Sequence, residues 1–174
     1  LKKTIKFIKN RLYDGKGFDA INQKKSSFRK KFSNKRIIKK SNRKKILISA
    51  HCFLDAPHSY GPKGDLFDDY YLWLKFLHDF SKKTLYDWYI KPHPNQYPHS
   101  NIIIKDFLKH HKNFVYISPS VLNYQLIKEG INCVLTVNGT VGWEFAYFKI
   151  PVINASTNNP HINYNFNLHA KNIP

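Results

Sequence analysis

From Lys44 onward, short apolar runs alternate with longer segments whose apolar residues recur every three or four positions. "KILISAHCF" reads as a strand. A loop rich in Pro and Gly follows, and then "LFDDYYLWLKFLHDFSKK" reads as a helix. Its inward stripe is Phe67, Tyr70, Leu74 and Leu77; Asp65 is the expected N-cap, Asp68 and Asp69 sit in the first turn, and Lys82 and Lys83 close the last. "DWYI" is the next strand, "SNIIIKDFLKHH" a helix capped by Ser100, and "FVYIS" a strand. "SVLNYQLIKEG" is a helix stopped by Gly130, "CVLTV" a strand, "TVGWEFAYF" a short helix and "PVINA" a last strand. The strands are apolar at consecutive positions, so both of their faces must be covered. That pattern predicts an α/β fold: a Rossmann-like parallel sheet with helices on both faces.

The first 43 residues differ. Ile5, Ile8 and Leu12 keep helical spacing within "LKKTIKFIKNRLY", and "DGKG" marks a turn. Phe18, Ile21, Phe28 and Phe32 are then set among bases, with a loose end expected near Ser41 to Arg43. Residues 1–43 therefore read as a basic helical linker or arm, and residues 44–174 as the folded domain. Charge sharpens this division. The arm holds 16 of the 29 Lys and Arg against Asp14 and Asp19, a balance of +14, while the remaining 13 face nine acids, a balance of +4. Such an arm suits an anionic membrane surface. Nucleic acid is not the expected partner, because the charge is confined to the arm and the sheet domain carries no nucleic-acid motif. The rival of a different class is nonetheless a basic nucleic-acid- or membrane-binding module without catalysis.

The length of 174 residues fits one domain of ordinary size, and a chain that starts at Leu1 and lacks Met reads as a piece of a longer protein. Cys52 and Cys133 lie in apolar runs and read as two buried thiols of a reducing cytoplasm. No apolar run reaches the roughly 18 residues that span a bilayer, and no signal-peptide pattern opens the chain. The expectation is a soluble cytoplasmic protein, held at most peripherally at the inner face of the membrane.

In open parallel sheets, ligands sit outside the carboxyl ends of the strands. Four loops should reach that edge. The first carries His51, Asp55, His58, Tyr60 and Lys63, and the second Lys91, His93, Asn95, Gln96 and His99. The third is "VNGTVGWE", with Asn138, Gly139, Thr140 and Glu144; the fourth is "NASTNNPH", with Asn154, Ser156, Thr157, Asn158 and His161. Pro92 and Pro94 stiffen the second loop, so Lys91 and His93 are expected at the crevice, facing a phosphate or a nucleotide edge. Gly139 permits close approach of a ligand to the backbone, Thr140 should cap the following helix, and the amides there favour an anion. Glu144, one turn in, can accept hydrogen bonds from ribose hydroxyls. No Walker motif occurs, and no GxGxxG follows the first strand. The histidine spacings match no zinc site, and there is no GxSxG nucleophile elbow. No metal and no resident cofactor are expected.

Together, "ILISAHCFLDAPHSYG", "LFDDYYLWLKFL", "WYIKPHPNQ" and "VNGTVGWEFAYFKIPVI" resemble the glycosyltransferases of capsule and surface polysaccharide biosynthesis in bacteria. The "RLYDGKGFDA" segment is similar to the stretch that precedes the second domain of those proteins. The resemblance covers nearly the whole chain. It implies the nucleotide-binding C-terminal half of a two-domain GT-B enzyme, which uses a nucleotide-sugar donor as substrate and a glycan or lipid-linked glycan as acceptor. An N-terminal acceptor domain would be missing from this fragment, which alone should transfer little. "KPHP" followed by a later small-residue loop also resembles transferases that use CMP- or CDP-linked donors. By that likeness His93 contacts the donor phosphate or nucleotide, and Asn138, Gly139 and Thr140 hold the phosphate. Those relatives often carry paired serines where this chain has Asn-Gly-Thr, so a UDP-linked donor stays open beside the favoured CMP type. His51 and Lys91 complete the expected donor contacts with Glu144. Asp55 and His58, in a loop that should face the partner domain, are the candidates for positioning the acceptor or acting as general base.

Overall fold

The computed structural model describes residues 2, 3, 6, 10, 12–13, 32–53, 66–93, 98–159 (98–100 by backbone alone) and 162–173. Six strands form one sheet: β1 (Lys45–Ser49), β2 (Asp87–Lys91), β3 (Phe114–Tyr116), β4 (Cys133–Thr136), β5 (Val152–Asn154) and β6 (Leu168–His169). Their spatial order is β3-β2-β1-β4-β5-β6, and every pairing is parallel. Among the described residues from Lys44 onward, four helices accompany them: α1 (Tyr70–Lys82), α2 (Pro98–His110), α3 (Asn123–Lys128) and α4 (Val141–Tyr147). No described helix is long and apolar enough to cross a membrane.

Alternate residues of each strand enter different cores, which is why the strands read as unbroken apolar runs. Ile46 and Ile48 of β1, with Trp88 and Ile90 of β2, pack with Trp73, Leu74 and Leu77 of α1 and Ile104 and Phe107 of α2. Leu47, Tyr89, Val134 and Val152 face the other way and pack with Leu126 of α3 and Phe145 of α4. The sheet and its two helical layers are thus those of a Rossmann-like α/β fold.

The local differences from expectation lie at helix ends. Asp69 caps α1, its carboxylate accepting from the Leu72 amide at 2.7 Å, so Asp69 precedes the helix instead of sitting in its first turn. Asp65, the expected cap, lies outside the described residues. Phe67 packs beside the core ahead of the helix, and Trp73 fills the inward stripe. Ser100 lies inside α2, which begins two residues earlier at Pro98, a residue well suited to a first helical turn. Gly130 takes φ +99° just past α3, as its stop signal predicts. The strand β6 has no counterpart in the sequence expectation; two residues are too few to show a pattern. Cys52 is buried but Cys133, at the start of β4, is only half-buried.

The basic arm ends differently from expectation. Residues 32–44 form no helix or strand, yet they are pinned to the domain by the end of α3. One Glu129 carboxylate oxygen accepts from the amides of Ile37 (2.7 Å) and Ile38 (2.6 Å). The Ser33 amide donates to Gln125 Oε1 at 2.6 Å, and Gln125 Nε2 donates to the Ser33 and Lys35 carbonyls. The Lys39 amide donates to the Tyr89 hydroxyl, Arg36 donates to the carbonyls of Ile38 and Glu129, and Ile38 is wholly buried. Ser41, expected in a loose end, donates its hydroxyl to Asp87. An extended segment has no backbone partners of its own, so side chains of α3 supply them. Earlier in the arm, Lys2, Lys3, Lys6, Asn10, Leu12 and Tyr13 are helical, and the Tyr13 ring meets Tyr124 edge to face at 4.6 Å. Phe18, Ile21 and Phe28 lie outside the described residues.

Burial alone would raise the Glu129 carboxyl, but the amides of Ile38 and Ile37, the Gln125 amide and the Arg36 guanidinium outweigh it. The net effect holds the group below its ordinary 4.5. Its contribution is therefore complete above that value and is lost as pH falls through the lower, folded-state value. Glu129→Gln is expected to cost about 1–2 kcal/mol at neutral pH, since one acceptor remains but the charge is gone. Urea unfolding of both proteins checks this. Their difference should narrow only below pH 4.5; a difference that stays constant down to acid unfolding would refute the role of the charge.

Candidate functional site

The chain leaves β1 toward β2 and β3 on one side, then crosses back to place β4 on the other side of β1. The loops after β1 and β4 diverge, and a crevice opens between them at the carboxyl edge. Its walls come from Ser49 and His51 after β1, from Lys91 and His93 at the end of β2, and from Thr136 and the segment Asn138–Val141 after β4. Glu144 of α4 and Asn123, the first residue of α3, close it from the helical side. His51, Lys91, His93, Asn138, Gly139, Thr140 and Glu144, which the sequence assigns to a donor site, are therefore gathered around one space.

Lys91 and Glu144 are both buried, at 4% and 5% exposure, and Asn123 stands between them. Lys91 Nζ donates to Asn123 Oδ1, and Asn123 Nδ2 donates to Glu144 Oε2 at 2.7 Å. One amide thus meets an ammonium with its oxygen and a carboxylate with its nitrogen, using an acceptor and a donor of the same side chain. Both charges are kept in a low-dielectric wall where an unbridged ion would be costly.

The loop after β4 is held by Thr136. Its hydroxyl donates to the Asn138 carbonyl at 3.0 Å and lies 3.3 Å from the Ser49 carbonyl, tying the loop to β1. Gly139 takes φ +112°, a backbone state L residues rarely adopt, and a Cβ added there would meet nothing within 4 Å. Conformation, and not crowding by the protein, demands the glycine, and it leaves the backbone open to approach. Thr140 occupies the N-cap position of α4 but makes no capping bond with its side chain. Its φ and ψ of −64° and −19° are helical, whereas a capping hydroxyl reaches back from an extended residue. Opposite, the His51 ring meets Tyr70 at 4.8 Å and lies 6.1 Å from the His93 ring.

The crevice encloses about 80 Å³. Pockets that engulf a drug-sized ligand run to ~300–1,000 Å³. This space therefore takes one end of a ligand, on the scale of a phosphate group, and leaves the rest outside.

Asp55 and His58, the expected acceptor-side residues, lie outside the described residues, as do Tyr60, Lys63, Asn95, Gln96 and His161. The described residues of the fourth loop do not line the crevice. Asn154 is fully buried and its Nδ2 donates to the Leu168 carbonyl, while the Ser156 hydroxyl accepts from the Asn158 amide at 2.9 Å. This loop serves the β5-to-β6 connection. Asn123 was missed. It follows β3, whose loop also ends at the carboxyl edge, so the same topological rule applied to a fifth loop finds it. Among the described residues, no three His, Cys, Asp or Glu side chains gather closely enough to hold a metal ion.

Comparison of the chain with protein-family models, with curated proteins and with solved structures finds no match.

Asn123→Ala removes one partner from a buried ammonium and one from a buried carboxylate at the same time. A stability loss of about 1–3 kcal/mol is expected, in the range for buried polar groups that lose a hydrogen-bond partner. Equilibrium urea unfolding measures it, and a loss under ~0.5 kcal/mol, ordinary for a surface change, would show that the bridge is dispensable.

Proposed function

We propose that the crevice binds the phosphate end of a nucleotide-linked sugar, and that the chain is the donor-binding part of a GT-B-type glycosyltransferase of surface polysaccharide synthesis. The observation that carries this reading is the convergence of a buried lysine, a histidine and a glycine-bearing loop at the switch point of an all-parallel sheet. The resemblance of the same segments to polysaccharide glycosyltransferases supports it.

In transfer, an acceptor hydroxyl attacks the anomeric carbon and the bond from that carbon to the phosphate oxygen breaks. The electron pair leaves with the nucleotide, so negative charge grows on its terminal phosphate. Lys91, fixed by Asn123, and His93, beside it, are placed to stabilise that charge, and a fixed positive site does so without reorganising in the transition state. The backbone at Gly139 offers close approach to the same phosphate. Glu144 accepts from ribose hydroxyls. The hydroxyl proton passes to a base, for which Asp55 and His58 are the candidates. A CMP-type donor is favoured and UDP is the second choice; the acceptor glycan is held largely by another domain.

Calorimetric titration with CMP, CDP, UDP, GDP and ADP tests the reading directly. One pyrimidine nucleotide is expected to bind more tightly than the purine nucleotides. His93→Ala should weaken that binding about ten- to a hundredfold, the cost of a charge-assisted hydrogen bond of roughly 1.5–3 kcal/mol, with the melting temperature almost unchanged. Absence of heat with every nucleotide, or unaltered affinity in the variant, would remove the proposal.

A further inference from the structure

A wide cleft opens at the opposite edge of the sheet from the crevice. It measures about 600 Å³ and is bounded by the starts of β2 and β3, the end of α1 and the pinned strap 36–43. Arg36, Lys39, Arg43 and Lys82 line it, and Asp87 is the one carboxylate among its described walls. That carboxylate is engaged by the Ser41 hydroxyl, and Lys82 shares its charge with Asp79 at 2.9 Å. Exposed Lys44, Lys83 and Lys112 adjoin the same edge in sequence. The strap is held by hydrogen bonds from α3, so its cations are presented by a fixed backbone.

The rim is also apolar. Leu85, in the turn between α1 and β2, is 79% exposed, the highest value for a large apolar side chain among the described residues. Tyr86 beside it and Val115 of the edge strand β3 are exposed as well, and both line the cleft. An exposed leucine beside exposed cations gains nothing from a soluble polyanion, whose charges lie in water. It gains from a bilayer surface, where the apolar tip enters the acyl boundary while the cations meet headgroup phosphates.

We infer that this amino-end face, and not the helical start of the arm, docks the protein on an anionic phospholipid surface, with Leu85 inserted and Lys39, Arg43 and Lys82 on the headgroups. This inference does not depend on the glycosyltransferase reading. Its geometric consequence is that the crevice opens away from the bilayer, separated from it by at least the ~16 Å length of a five-residue strand.

Sedimentation of the full chain with vesicles of phosphatidylglycerol in phosphatidylcholine, against vesicles of phosphatidylcholine alone, tests it. Binding is expected only with the anionic lipid. The triple variant Lys39→Gln, Arg43→Gln, Lys82→Gln should partition at least about tenfold more weakly, and Leu85→Ser should weaken binding at unchanged charge. The variant Lys2→Gln, Lys3→Gln, Lys6→Gln loses the same charge from the arm helix and should bind nearly as the parent does. These side chains are exposed, so melting temperatures should hold and report any misfolding. Equal losses in the two triple variants would mean that net charge alone acts, and would overturn the inference. So would parent-like binding by Leu85→Ser, or binding to a single-stranded oligonucleotide in place of vesicles.

Discussion

Parallel pairing on both sides of β1 is the constraint on which the rest depends. Ile46, Leu47 and Ile48 are hydrogen-bonded in register to β2 on one side and to β4 on the other, and Leu47 and Ile48 are fully buried. A strand held in this way cannot slip by one residue without moving its whole apolar set into the wrong core. Parallel strands also share one carboxyl edge. Residues as distant in sequence as His51, Lys91 and Thr140 therefore meet around one crevice, whatever those residues happen to be.

That edge is polar and tightly organised. A buried lysine and a buried glutamate approach it from different elements, and Asn123 reconciles them with a single amide. The bridge fixes where the Lys91 ammonium lies at that edge. Thr136 performs the matching task for the backbone, tying the Asn138 carbonyl to the end of β1 so that Gly139 can turn at positive φ.

The amino edge is built on another principle. There the cations sit on a segment without regular structure, and Glu129 and Gln125 supply the backbone partners that a helix or strand would have supplied from within. One acidic side chain at the end of α3 thereby converts the last part of a basic arm into a wall of the domain. The two ends of the sheet offer different surfaces: a small crevice of paired charges, and a wide cleft of exposed cations with an apolar rim.

The sequence alone determined the order of strands and helices from β1 to β5, the burial of both sheet faces, and the edge at which the polar residues after β1, β2 and β4 meet. Those follow from local chemistry, because consecutive apolar residues in a short run have no stable arrangement except between two layers. Gly130 was legible for the same reason, since its positive φ is a property of one residue. Tertiary structure decided what depends on distant partners. Asp69 caps α1, a choice between neighbouring aspartates that turns on where the chain enters the helix. Thr140 does not cap α4, because the loop holds it in helical conformation. Asn123 entered the crevice because the start of α3 stands between Lys91 and Glu144, and Asn154 did not, because its amide is turned toward β6. The segment 32–44 became part of the fold through Glu129 and Gln125, about 90 positions away along the chain, and through Tyr89 and Asp87 of β2. No periodicity records a contact of that kind; it exists only when two remote segments are brought to the same end of the sheet.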